Sequence, residues 1–218
     1  MPKLIDHEAR RLELVEAAWR VILRDGAGRV SVRAVAAEAG VSAGSLRHLF
    51  PTQAELLRSA MDRVNTTVRA RILALPADLT GPDRALRVVR ELLPLDGERR
   101  AEMEVNLALI AAAVTDPGLA AARDESFAGL RYACERVLVL LDGAGVLAAG
   151  LDAALEAARL HALIDGLAAH LTYQAPDAAT EWADAVVRRH LASLRPPEGP
   201  AVSGGSRSAR SGRRGRRG

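Results

Sequence analysis

The stretch SVRAVAAEAGVSAGSLRHLFPTQAELL, residues 31–57, reads as two short helices joined by a tight turn, with a third helix opening at once. Ser31 is a good N-cap, and Val32, Val35, Ala36 and Ala39 recur at the spacing that gives a helix one apolar face. Gly40 follows Ala36 by four positions, where a left-handed backbone ends a helix. Val41 then plugs the turn, and Ser42 caps the next helix. In that helix Leu46, Leu49 and Phe50 share the inward face, while Gly44 and His48 centre the outward one, flanked by Ser45 and Arg47. Pro51 closes it. Thr52-Gln53-Ala54-Glu55 is a capping box, which starts another helix by satisfying two free N–H groups reciprocally.

A small, polar and basic outward face suits entry into the major groove of DNA, where a bulky apolar face would not. The pattern therefore predicts a helix-turn-helix whose second helix reads DNA. Ser42, Ala43, Gly44, Ser45 and His48 are expected toward base edges, with Arg33, Arg47, Thr52 and Gln53 on phosphates. Arg33 reads equally well as a solvated surface charge. An Ala-rich helical hairpin with a Gly turn is common by itself. The turn, the polar face and the Phe-Pro-Thr cap together are far more specific.

The run GVSAGSLRHLFP (40–51) followed by QAELL (53–57) resembles the signature of the TetR family of bacterial transcriptional regulators. The segment EARRLELVEAAWRVILRDG (8–26) sits where that family's first helix lies. The likeness is sharp over residues 8–60. It continues more weakly over HALIDGLAAHL (161–171) and AVVRRHLASL (185–194), which are similar to the last two helices of the subgroup containing the choline-pathway repressors. The resemblance implies a homodimer that binds double-stranded operator DNA, acting as a ligand-responsive repressor released by a small-molecule effector. Two positions depart from the pattern, since many members carry aromatic residues where this chain has Arg47 and Leu49. The first of those aromatics often bonds a phosphate. Arg47 offers a charge-assisted bond in its place.

Outside this stretch the chain of 218 residues reads as all-α. An amphipathic helix over 8–25 carries Leu12, Val15, Trp19 and Ile22 at helical spacing. Further helices are expected over 53–75, 82–93, 98–114, from Pro117 to about 141, then 151–173 and 177–194. The expected organisation is a DNA-binding head at 8–60, a bundle for ligand binding and dimerisation at 61–194, and a disordered Arg-rich tail at 195–218. The head alone is near the size where a core is marginal, so it should lean on the helix that begins at Gln53. That makes this helix a mechanical link.

The pI near 9.7 misleads about where the charge lies. Residues 195–218 hold seven Arg and one Glu, whereas 61–194 hold fourteen basic against nineteen acidic residues. Residues 1–60 hold nine against seven, a weakly basic balance for a DNA reader. The tail is thus a rival nucleic-acid contact, of the non-specific and salt-sensitive kind. Apolar runs stop well short of the roughly 20 residues that a membrane span requires, and no signal-peptide pattern opens the chain. One cysteine, Cys134, excludes an intrachain disulfide and fits the cytoplasm; in its apolar helix it reads as a buried, inert thiol.

No catalytic residue, cofactor or metal site is expected. The nearest approach is His161 with Asp165, four apart, plus His170. That trio reads as a hydrogen-bond network in the dimer region rather than a metal or proton-relay site. An enzyme or binding protein using His161 and Asp165, with a vestigial DNA module, is the rival class. A dimer interface is expected from Leu160, Leu163, Ile164, Leu167 and Leu171, with Gly166 permitting close approach, and from Trp182 and Val186. Two reading heads then reach half-sites about 34–36 Å apart. A ligand pocket is expected from Met103, Asn106, Leu107 and Ile110 with Phe127, Arg131 and Tyr132. A buried Asn106 amide needs a partner, which a ligand or a protein group supplies equally well. With six aromatic residues in the chain, a cage for a quaternary ammonium is hard to assemble.

Overall fold

The computed structural model describes residues 7–175 and 177–196, and in these it holds α-helices and short 3₁₀ turns. The helices are α1 (His7–Asp25), α2 (Val32–Glu38), α3 (Ala43–Leu49), α4 (Gln53–Leu73) and α5 (Gly81–Glu91). They continue as α6 (Gly97–Ala113), α7 (Ala120–Gly143), α8 (Ala153–Tyr173) and α9 (Glu181–Ser193). The expected Arg-rich tail falls, from residue 197 onward, outside the described residues.

Short polar side chains start these helices by accepting from N–H groups that have no partner inside the helix. Ser31 accepts from Ala34, Ser42 from Ser45 and Thr52 from Glu55, at 3.0–3.1 Å. Asp96 and Asp152 do the same for α6 and α8. Asp116 instead caps a 3₁₀ turn, Pro117–Leu119, that leads into α7. Between α2 and α3, Gly40 takes φ +65°, the left-handed conformation that reverses the chain there. Most boundaries lie within two residues of expectation. The last helix opens at Glu181 rather than 177, because the Thr180 carbonyl begins its hydrogen-bond ladder.

Two apolar cores form. The first gathers α1, α2, α3 and the N-terminal half of α4 around Leu14, Val21, Leu46, Phe50 and Leu56. It is completed from outside the head by Val105, Leu109 and Ala113 of α6, Leu119, and Ala122 of α7. The second core packs α5, α7, α8 and α9 around Val89, Leu138, Leu160, Ile164 and Val187. Helix α4 runs unbroken past residue 60, and Ile72 in its last turn and Leu75 just beyond it pack against this second core. Head and body therefore share α4, α6 and α7.

Helix α7 has 24 residues and so spans about 36 Å. Its start lies beside Ala54 at the beginning of α4, because the preceding turn places Gly118 there. Its end lies beside Gly81, where a Cβ would collide with Ala144. The Ala148 N–H donates to the Leu194 carbonyl at 2.9 Å, so α9 ends at that same pole, far from α3.

Candidate nucleic-acid interface

Helix α3 stands on two anchors. Leu46 is fully buried under it, and Phe50, also fully buried, seals the end. With those side chains inward, Ser42, Ala43, Gly44, Ser45, Arg47 and His48 are all exposed on the far side. Arg33, Thr52 and Gln53 are exposed as well. The Ser42 and Ser45 hydroxyls lie 3.0 Å apart, so each keeps the other oriented while Ser42 caps the helix. The side chains of Arg33, Arg47 and His48 are exposed, and none forms a hydrogen bond or ion pair with another described residue.

Ties that the sequence alone did not reveal hold this face at a fixed angle. The Arg11 guanidinium donates through Nη1 to the Leu49 carbonyl at 2.7 Å and lies 4.3 Å from the Phe50 ring centroid. Its Nη2 reaches Ser59 of α4 at 3.5 Å. Trp19 Nε1 donates to the Ala60 carbonyl at 3.2 Å, pinning α1 to α4. Arg24 and Arg20 each reach Glu38 at 2.7 Å, and both bonds hold its carboxyl below the ordinary range. This fastens the end of α2 to α1. The partners stand 14 to 48 residues apart, so no local pattern marks them.

In the body the expected pocket residues do not converge. Met103, Asn106, Leu107 and Ile110 are half-buried on α6. The Asn106 Oδ1 is buried and accepts no hydrogen bond from the described residues. Phe127 and Tyr132, by contrast, are 59% and 63% exposed, and Arg131 pairs outward with Glu135 at 3.0 Å. The side of α7 that packs inward carries Cys134, Val137 and Leu138 instead. Two open clefts lie elsewhere, about 340 Å³ beside Arg87, Arg90, Glu91 and Arg99, and about 270 Å³ beside Pro94, Arg100 and Gln174. Neither is lined by the seven residues singled out from sequence.

The expected dimer residues also divide. Leu160, Ile164, Leu167 and Leu171 are buried within the protomer, where they hold α8 on its own second core. Leu163 and Trp182 are half-buried against that core, and Val186 is exposed. The open side of α8 is instead Leu155, Ala162, Gly166 and Tyr173, with Ala169 half-buried at its edge, and nothing lies within 4 Å of where a Gly166 Cβ would be. Periodicity showed an apolar helix but not which side its own body claims.

His161 is buried, 3.4 Å from Asp165 and with its ring centroid 4.6 Å from that of Phe127; His170 is exposed. Among the described residues no group of three His, Cys, Asp or Glu side chains is placed to hold a metal ion. Burial pushes the Cys134 thiol up to about 12, which keeps it protonated and unreactive.

A helix-turn-helix head whose polar reading face is left free, joined by long helices to an all-helical body, defines a DNA-binding transcriptional regulator. Known proteins place it further. Residues 14–60 match the family described as bacterial regulatory proteins, tetR family, and residues 81–196 match the BetI-type transcriptional repressor C-terminal family. The chain is 39% identical to the HTH-type transcriptional regulator PksA of Bacillus subtilis, over 89% of this chain and 94% of that protein. BetI of Vibrio parahaemolyticus is 35% identical over 36% of this chain and 41% of its own length. A transcriptional regulator from Rhodococcus superposes with TM-score 0.73 at 28% identity, covering 84% of this chain and 95% of that one. A Saccharomonospora viridis structure in complex with choline shares the fold, with TM-score 0.74 at 24% identity over 84% and 95% of the two chains.

The chain belongs to the TetR family, and it is a helix-turn-helix transcriptional regulator. Regulators of this family bind DNA operators and act as dimers. Among the described residues no helix is long and apolar enough to cross a membrane.

Proposed function

We propose that this regulator is a repressor, released from a pseudo-palindromic operator in the cytoplasm when a small molecule binds its body. The observation that carries this reading is the free polar face of α3, rigidly backed by Leu46 and Phe50. In this division, 8–60 forms the reading head and 61–194 the sensing and pairing body. Ser42, Ala43, Gly44, Ser45 and His48 face base edges, while Arg33, Arg47, Thr52 and Gln53 grip phosphates.

The second copy docks on the open side of α8, where Leu155, Ala162, Gly166 and Tyr173 form a stripe joined by Val186 of α9. An isologous contact requires the stripe to match itself. Antiparallel pairing about Ile164 does so: Leu155 of one copy meets Tyr173 of the other, and Ala162 meets Gly166.

The effector sits along α6, beside Met103, Asn106, Leu107 and Ile110. The orphaned Asn106 oxygen calls for a donor, so the ligand carries a hydroxyl, amide or amine N–H on an otherwise apolar frame. A quaternary ammonium is disfavoured. Trp19 bonds α4, Phe50 is buried in the head, Trp182 packs on the second core, Phe127 lies against His161, and Tyr132 and Tyr173 are exposed.

Binding of Arg47→Ala and His48→Ala to a duplex selected by the wild-type protein, and to a shuffled duplex, tests the division of roles. Arg47→Ala should weaken both and reduce the salt slope by about one contact, while His48→Ala should erode the preference for the selected duplex. Equal effects of both variants on both duplexes would refute it.

A further inference from the structure

We propose that Arg11 of α1 is a positioning residue for DNA reading: it fixes the angle at which α3 presents Arg47 and His48. This rests on the reading that α3 is the helix that enters the groove. Helix α3 has seven residues, too few for such a helix to hold its own shape in isolation. Its last carbonyls have no partner within the helix. Arg11 supplies one for Leu49, and a cation at that end also complements the helix dipole.

The contact is a three-point clamp. One guanidinium touches the end of α3 through Leu49, the plug Phe50 through its ring face, and α4 through Ser59. Arg47 and His48 precede Leu49 by two positions and one. A tilt of the helix end is therefore passed directly to the two side chains assigned to phosphate and base. A lysine at position 11 keeps the charge but lacks the planar fork that donates to a carbonyl while lying over a ring.

The test compares the wild-type protein with Arg11→Lys and Arg11→Gln on a duplex selected by the wild type from a randomised pool, and on a shuffled duplex. Affinities are measured over a range of salt, well below each variant's melting temperature. Both variants should lose about tenfold in preference for the selected duplex, the scale of one misaligned base contact, with the salt slope unchanged. Arg11→Lys should fall closer to Arg11→Gln than to the wild type. A salt slope reduced by about one, with preference intact, would make Arg11 a phosphate contact and overturn the proposal. Unchanged preference with only a lower melting temperature would overturn it too, leaving Arg11 a purely structural tie. A wild-type protein that prefers neither duplex would overturn it together with the reading of α3.

Discussion

Arg71 of α4 and Glu102 of α6 meet in a two-pronged ion pair, with Nη1–Oε1 at 2.6 Å and Nη2–Oε2 at 2.7 Å. The Glu102 side chain is buried, and Arg71 extends to Glu91 of α5 at 3.1 Å. Glu91 in turn meets Arg99 at 3.3 Å. This network anchors the far end of α4, the helix whose near end backs the reading face. Such a buried ion pair is weak evidence for stability, because desolvation offsets much of its attraction, yet breaking it by removing one partner is costly.

Arg71→Met should therefore be costly, because it leaves the Glu102 carboxylate buried with its principal partner gone. Arg71 is partly exposed, so the expected loss is about 2–4 kcal/mol, toward the lower end for a broken buried pair. Urea unfolding would show a lower midpoint at unchanged slope. The double variant Arg71→Met/Glu102→Leu should recover most of the loss. If it were no more stable than Arg71→Met, the carboxylate would not be the source.

Acid should loosen the joint between α5 and α9. The Arg90 guanidinium, 2.6 Å from Asp184, holds that carboxyl down at about 2, and Arg188 adds a second bond. Burial works against Asp96, yet its bonds to Arg99 also leave it below the ordinary range. A carboxyl lowered on folding stabilises fully above its unfolded value, about 3.9, and that share is lost as pH falls through the folded value. The melting temperature should drop between about pH 4 and pH 2, and Asp184→Asn should remove part of that drop. An identical acid profile in the variant would discount the Arg90 contact.

At Gly40 the backbone has φ +65°, and nothing lies within 4 Å of where a Cβ would stand. Space is therefore not the constraint. Gly40→Ala should cost about 1–2 kcal/mol through the left-handed backbone alone, and Gly40→Asn less. Thermal melting of the two variants would settle the order, and Gly40→Ala melting at the wild-type temperature would contradict it.

The two sides of α8 should respond differently to substitution. Ala162→Glu places a charge on the exposed stripe and should yield folded monomers by sedimentation, with operator affinity lost because two linked heads are needed. Leu160→Ala, in the second core, should instead cost about 2–5 kcal/mol of folding stability. A dimer surviving Ala162→Glu would remove the stripe from the interface.

Sequence made the helix ends and the outward face of α3 legible, since caps such as Ser42 and Thr52 and the turn at Gly40 act over a few residues. What it withheld depends on distant partners. Arg11 looked like any charge on an amphipathic helix, because Leu49 lies 38 residues away. Helix α8 is apolar on most sides, so periodicity could not separate Leu160, claimed by its own core, from Ala162, left open. Phe127 and Tyr132 misled for the same reason, as aromatic character does not say which side of α7 turns inward.

The shared first core limits how this regulator is taken apart. Val105, Leu109, Ala113, Leu119 and Ala122 complete the head from positions well beyond residue 60. A chimera that transplants only residues 8–60 onto another sensor leaves those surfaces to whatever the new scaffold happens to present. A working graft has to match the underside supplied by α6 and the start of α7 as carefully as the junction in α4.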